Sequence, residues 1–199
     1  MNAHTMLRNL APLLVALPML SACETEPAAP PPLAGAAIGS DFTLVSETGE
    51  NVSWEDYAGS YRTLYFGYTY CPDVCPVDTQ RAMAGLKQFE KANPELGAKI
   101  QPLFISVDPE RDTPEVLFEF TDNFHPRLVG MTGTKEQLDK VTSDFAATYT
   151  IGEKQEGGGY LVGHTNITYL FGPDGEPLAM LPTDEGPAAV AAELEKWVR

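Results

Sequence analysis

RTLYFGYTYCPDVCP, running from Arg62 to Pro76, decides the fold of this chain. Residues 62–68 form an apolar and aromatic run of strand length with no helical period. That is the pattern of a strand buried on both faces. Beyond Cys75, residues Thr79, Ala82, Met83, Leu86, Phe89 and Glu90 recur at helical spacing, which predicts a helix to about Lys91. Two cysteines therefore stand where a buried strand hands over to a helix.

Reading outward, the same alternation continues. Phe42–Val45 and Asn51–Trp54 flank Glu47-Thr48-Gly49-Glu50 and predict an entrance hairpin. Pro102–Val107 reads as a second buried strand, followed by a helix from Asp112 or Thr113, with Pro114 in its first turn, to about Asn123. Leu128–Met131 reads as a third strand, and Thr134 as the cap of a helix reaching about Ala147. Gln155 to Tyr160 holds three consecutive glycines and predicts a mobile excursion. Gly172-Pro173-Asp174-Gly175 is a hairpin signal between Ile167–Phe171 and Leu178–Leu181, and Pro187–Arg199 predicts a last helix. Hairpin, then β-α-β-α-β-α, then hairpin and helix implies an α/β three-layer sandwich, with a mostly parallel central sheet and helices on both faces. With a cysteine pair at the first strand-to-helix junction, this is the thioredoxin-like plan.

The 199 residues are ordinary in apolar content (43%) and charged content (21%), so the chain buries a core. Asp and Glu number 28 against 13 Lys and Arg, a formal charge of −15, which opposes binding to a phosphate backbone and argues against nucleic acid. Residues 1–22 lie outside the fold. After Arg8 comes the apolar run Leu10–Leu20, too short to span a membrane as a stable helix but suited to an export signal. Leu20-Ser21-Ala22-Cys23 resembles a bacterial lipobox, which would make Cys23 the lipidated first residue of the mature chain. Residues 23–37 are rich in Pro and Ala and read as a linker, leaving 38–199 as the domain. The expected location is the periplasmic side of a bacterial cell envelope, held to the membrane by the lipid.

With Cys23 assigned to lipid, the chemistry falls to Cys71 and Cys75. A helix N-terminus favours thiolate over thiol, and thiolates bind metals and attack disulfides. Residues at i and i+4 of a helix have Cβ atoms about 5–6 Å apart, whereas a disulfide wants about 3.8 Å. The C-x-x-x-C spacing thus leans towards two sulfurs sharing a metal. It leaves redox chemistry, or a plain structural disulfide, open if Cys71 precedes the helix. Two thiolates complete few metal sites, and the histidines are His4, His125 and His164. His4 lies in the signal. His125, in the loop Asn123–Arg127, is expected at the surface. His164 follows the glycine-rich excursion, where a movable loop can offer a side chain. Two thiolates with an imidazole would select Cu(I), whereas zinc usually takes a fourth protein ligand. Met83, Met131 and Met180 read as packing residues.

Tyr65-Phe66-Gly67-Tyr68-Thr69-Tyr70-Cys71-Pro72-Asp73-Val74-Cys75-Pro76 resembles the signature of the Sco/SenC copper chaperones. Leu103–Thr113 (LFISVDPERDT), Leu128–Thr134 (LVGMTGT), and His164-Thr165 ahead of Tyr169–Gly175 agree with it in order, over residues 38–199. The resemblance implies a thioredoxin-like fold and a membrane tether. It also implies copper, as Cu(I) or Cu(II), held by Cys71, Cys75 and His164, and a role in building the binuclear copper centre of cytochrome c oxidase. The partner implied is the oxidase's copper-accepting subunit, with other periplasmic copper chaperones or thiol reductants as further candidates. The alternative is a thiol–disulfide oxidoreductase, with Cys71 and Cys75 as a redox dithiol that reduces the subunit's copper-ligand cysteines. A peroxidase of peroxiredoxin type would carry threonine three residues before its nucleophile, and this chain has Tyr68. One departure stands out: many family members place an acidic residue before the histidine, where this chain has Gly163. Asp73, between the cysteines, reads as an exposed acid that complements the helix dipole or meets a partner.

Overall fold

The computed structural model describes residues 29–199, so the segment read as an export signal and Cys23 lie outside the described residues. Pro31–Ala36 forms a turn that rests on the domain, with the Leu33 amide donating to the Leu178 carbonyl at 3.0 Å. The folded body thus takes in the last residues of the segment read as linker.

The entrance hairpin is β1 (Thr43–Ser46) and β2 (Asn51–Ser53). The buried strand β3 (Tyr61–Gly67) leads through the cysteine loop into α1 (Val74–Ala92) and the short α2 (Pro94–Gly97). There follow β4 (Ile100–Ser106), α3 (Pro114–Asp122), β5 (Val129–Thr132) and α4 (Lys135–Asp144). Next come β6 (Tyr149–Ile151), β7 (Val162–His164), β8 (Thr168–Phe171), β9 (Pro177–Leu181) and α5 (Pro187–Trp197). The helix starts are locally encoded. The Thr113 and Thr134 hydroxyls accept from the amides of Val116 and Gln137, and Gln137 returns a bond to the Thr134 amide.

The main sheet runs β2-β1-β5-β4-β3-β8-β9. Its three central strands, β3, β4 and β5, are parallel, and both flanks are antiparallel. Successive side chains of a strand point to opposite faces, and β3 uses both. Tyr65 reaches Asp78 of α1, while the Phe66 ring meets Phe145 at the end of α4. Helices therefore cover both faces, α1 with α5 on one and α4 on the other. The arrangement is thioredoxin-like, as the element order predicts, with the cysteine loop at the C-terminal end of the central strand.

Two residues depart from expectation. Met180 is about half exposed, because β9 is an edge strand and turns this side chain outward; Met83 and Met131 are buried as expected. His125, expected at the surface, is only 4% exposed. Its loop folds under α1, where the polar groups satisfy one another. Nδ1 accepts from the Arg127 amide at 3.1 Å, which leaves the proton on Nε2, 3.3 Å from Glu90. Arg127 also binds Glu90.

Burial, aided by Arg127 and Lys87, holds the His125 imidazole below its ordinary value although Glu90 pulls the other way. The unfolded chain therefore takes up this proton first. Stability is full above about pH 6.5, the unfolded value, and falls as pH drops below it. His125→Gln should flatten the melting-temperature slope between about pH 6.5 and 5, measured by calorimetry. A slope equal to that of the wild type would show that His125 does not carry it.

Candidate metal centre

The centre sits where β3 ends. Cys71 lies in the bend before α1, and Cys75 in the first turn of that helix. The Cys75 amide donates to the Cys71 sulfur at 3.4 Å, so the helix N-terminus is aimed at this thiol. Cys71 is half-buried and Cys75 fully buried, and the two are not joined in a disulfide. The loop between β3 and α1 is fixed from outside. Asp112, itself fully buried, accepts from the amide and hydroxyl of Thr69, at 2.9 and 2.6 Å.

The two thiols differ electrostatically. Burial pushes the Cys71 thiol up, but hydrogen bonds from the Cys75 thiol and amide, the Asp73 amide and the Tyr68 hydroxyl outweigh it and hold it below its ordinary value. Burial pushes the Cys75 thiol up, and the neighbouring Cys71 adds to the rise. Cys71 is therefore the ready thiolate and Cys75 the reluctant one. One helical turn beyond Cys75, the buried Asp78 carboxyl is also pushed up by desolvation, despite hydroxyls from Tyr65 and Thr183.

His164 arrives from the other side. It is the last residue of β7, which pairs with β6 as a two-stranded antiparallel ribbon, Tyr149 opposite His164. Its ring stands edge-on to Tyr65 and Tyr68, each 5.9 Å away between centroids. Nδ1 lies 3.1 Å from the Thr165 carbonyl, an acceptor only, so Nδ1 carries the proton. The lone pair of Nε2 is left facing the dithiol, 2.8 Å from the Cys75 sulfur. Gly163, where a carboxylate is common in the family resembled, is exposed, and a Cβ built on it meets nothing nearer than the Thr150 carbonyl at 4.0 Å. The Thr165 carbonyl thus does the orienting work of an outer hydrogen-bond acceptor for the imidazole.

All three ligand-type atoms, two Sγ and one imidazole nitrogen, lie within 4.8 Å of one another. No other such group of three occurs among the described residues. Sequence reasoning placed these residues at one site and left out Tyr68, Asp112 and the Thr165 carbonyl. Tyr68 and Asp112 were visible in the quoted motifs. Nothing in the sequence marks a particular carbonyl.

A model of the SCO1/SenC family matches residues 31–199. The chain belongs to that family. The human protein SCO1 homolog, mitochondrial, is 39% identical over 164 residues, taking in 81% of this chain and 53% of that one. The chain thus spans about half the length of that curated Sco relative. Among solved structures, Bradyrhizobium japonicum ScoI with copper bound is similar with a TM-score of 0.72 and 32% identity, covering 81% of this chain and 99% of the other. A third likeness is to BsSco, described as a Sco cytochrome c oxidase assembly protein with a disulfide switch. It has a TM-score of 0.61 and 26% identity, covering 84% of this chain and 97% of that one.

Proposed function

We propose that this chain is a copper metallochaperone. It binds one copper ion through Cys71, Cys75 and His164 and delivers it to the copper-accepting subunit of cytochrome c oxidase, helping to assemble the binuclear centre. The observation that carries the reading is the convergence of two sulfurs and a free imidazole lone pair. That donor set is soft, with the Cys71 thiol held below its ordinary value, and suits Cu(I) better than harder cations. Copper is cargo here, so a three-ligand site that a competing set of thiolates can open is an advantage. The copper-bound B. japonicum relative and the described role of BsSco support the reading. Anaerobic titration of the reduced protein should reach one Cu(I) per chain, with two sulfurs and one nitrogen seen by X-ray absorption. A chain that binds no copper tightly would overturn it.

A second reading draws on the asymmetry of the two thiols. The Cys71 thiolate attacks a partner's disulfide and forms a mixed disulfide, releasing one partner thiolate. Cys75 gives its proton to the released partner thiolate and attacks Cys71, which closes the Cys71–Cys75 disulfide. The second partner sulfur is released as a thiolate that takes its proton from water. The partner gains two electrons and the chain loses two. A dithiol reduction potential near that of dedicated reductants would favour this job.

The proposed setting is the periplasmic side of a bacterial membrane, reached through acylated Cys23. Cys23→Ser should leave the protein soluble or unprocessed on membrane fractionation. Mass spectrometry placing the mature N-terminus elsewhere would remove the anchor.

A further inference from the structure

Ser106-Val107-Asp108-Pro109-Glu110-Arg111-Asp112, from the end of β4 towards α3, supplies none of the three ligand atoms, yet it holds both elements that do. Asp112 ties down Thr69, two residues before Cys71. The other arm starts at Asp108, buried, whose carboxylate accepts from Arg111 Nε at 2.5 Å and from the Tyr160 hydroxyl at 2.6 Å. The Arg111 guanidinium lies 3.7 Å above the Tyr160 ring and donates to the Tyr160 carbonyl at 3.0 Å. It also faces the rings of Tyr68 and Tyr70, at 5.5 and 5.1 Å, on the cysteine loop.

Tyr160 lies four residues before His164, at the entry to β7. The β6–β7 ribbon belongs to a separate two-stranded sheet, and a lone pair of strands is marginal in water without tertiary support. Its placement over the dithiol draws on tertiary anchors, the Val162 amide on the Tyr68 hydroxyl being one. Among these, the Asp108–Arg111–Tyr160 set links the ribbon to the loop bearing Cys71.

We infer that Asp108 and Arg111 are positioning residues that, through Tyr160, set where His164 stands relative to the two sulfurs. The inference rests on the copper reading for its effect on affinity, but the placement itself is testable without metal.

The experiment uses the full chain with Arg111→Gln, and Tyr160→Phe as the milder variant that keeps the ring and loses the bond to Asp108. In metal-free protein, amide exchange across Val162–His164 should quicken in both. By competition against a chelator, Arg111→Gln should weaken Cu(I) binding about 10–100-fold, the range for outer-sphere supports of metal ligands. Tyr160→Phe should weaken it less, and it carries the test if Arg111→Gln does not fold. In a His164→Ala background, Arg111→Gln should change affinity by less than about 2-fold, since its route to the metal has been removed. An equal loss in both backgrounds, or unchanged exchange in the ribbon, would overturn the inference. If the wild type binds no copper, the copper reading falls, and amide exchange alone still decides whether Arg111 places the ribbon.

Discussion

Serine at either Cys71 or Cys75 should abolish tight Cu(I) binding, and the two variants should then behave differently towards thiol reagents. Each change removes one of two soft donors. The loss should exceed the roughly 10–100-fold seen when only outer contacts of a ligand are removed. The difference follows from the surroundings. In Cys75→Ser the remaining Cys71 keeps the Asp73 amide, the Tyr68 hydroxyl and the helix N-terminus, and it is partly open to solvent. It should alkylate quickly near neutral pH and drift into intermolecular disulfides. In Cys71→Ser the remaining Cys75 is fully buried, its thiol pushed up by desolvation, and it stands 2.8 Å from the His164 ring. It should alkylate slowly. Iodoacetamide kinetics followed by mass spectrometry make the comparison. Equal rates would mean that the polarity of the dithiol is not as described, and oxidase assembly persisting in cells with both cysteines replaced would show that the protein works by contact alone.

The parts of the fold that local chemistry encodes were legible. The Arg62–Tyr68 run, the apolar face from Thr79 to Phe89 and the threonine caps each carry their own period or punctuation, and all are present. The β6–β7 ribbon was not legible. Its strands have three residues each, too few to show alternation, and its register joins Tyr149 to His164 across a glycine-rich stretch. That pairing is specified by tertiary anchors such as Arg111 on Tyr160, which no window of sequence displays. His125 shows the same limit from the other side. A histidine before proline in a loop reads as exposed, and only Glu90 and Arg127, 35 and 2 residues away in the chain, make its burial tolerable. In the site, the cysteines and His164 were readable because their residue types are rare here and chemically committed. The groups that tune them were not, since a tyrosine hydroxyl, an aspartate and a backbone carbonyl are common and gain their role from position.

His164→Ala separates the two readings of the site. Alanine removes the lone pair that faces the dithiol, but leaves the helix N-terminus aimed at Cys71. Disulfide exchange needs the thiolate and a resolving thiol, not an imidazole. Copper needs its third donor. The Cys71–Cys75 disulfide should therefore still form, with a reduction potential close to that of the wild type, while Cu(I) affinity drops by at least about 10-fold, the lower end of what even outer-contact losses produce. Both quantities are measured on one preparation, the affinity by chelator competition and the potential by equilibration with a thiol buffer. Unchanged affinity would remove His164 from the ligand set and shift the function towards thiol exchange. A lowered affinity with unchanged potential, together with loss of the oxidase centre in cells, ties the physiological job to the metal. The same pair of measurements with the oxidase centre still assembled would instead make thiol reduction the job and copper binding secondary, because the only property left intact would be the dithiol.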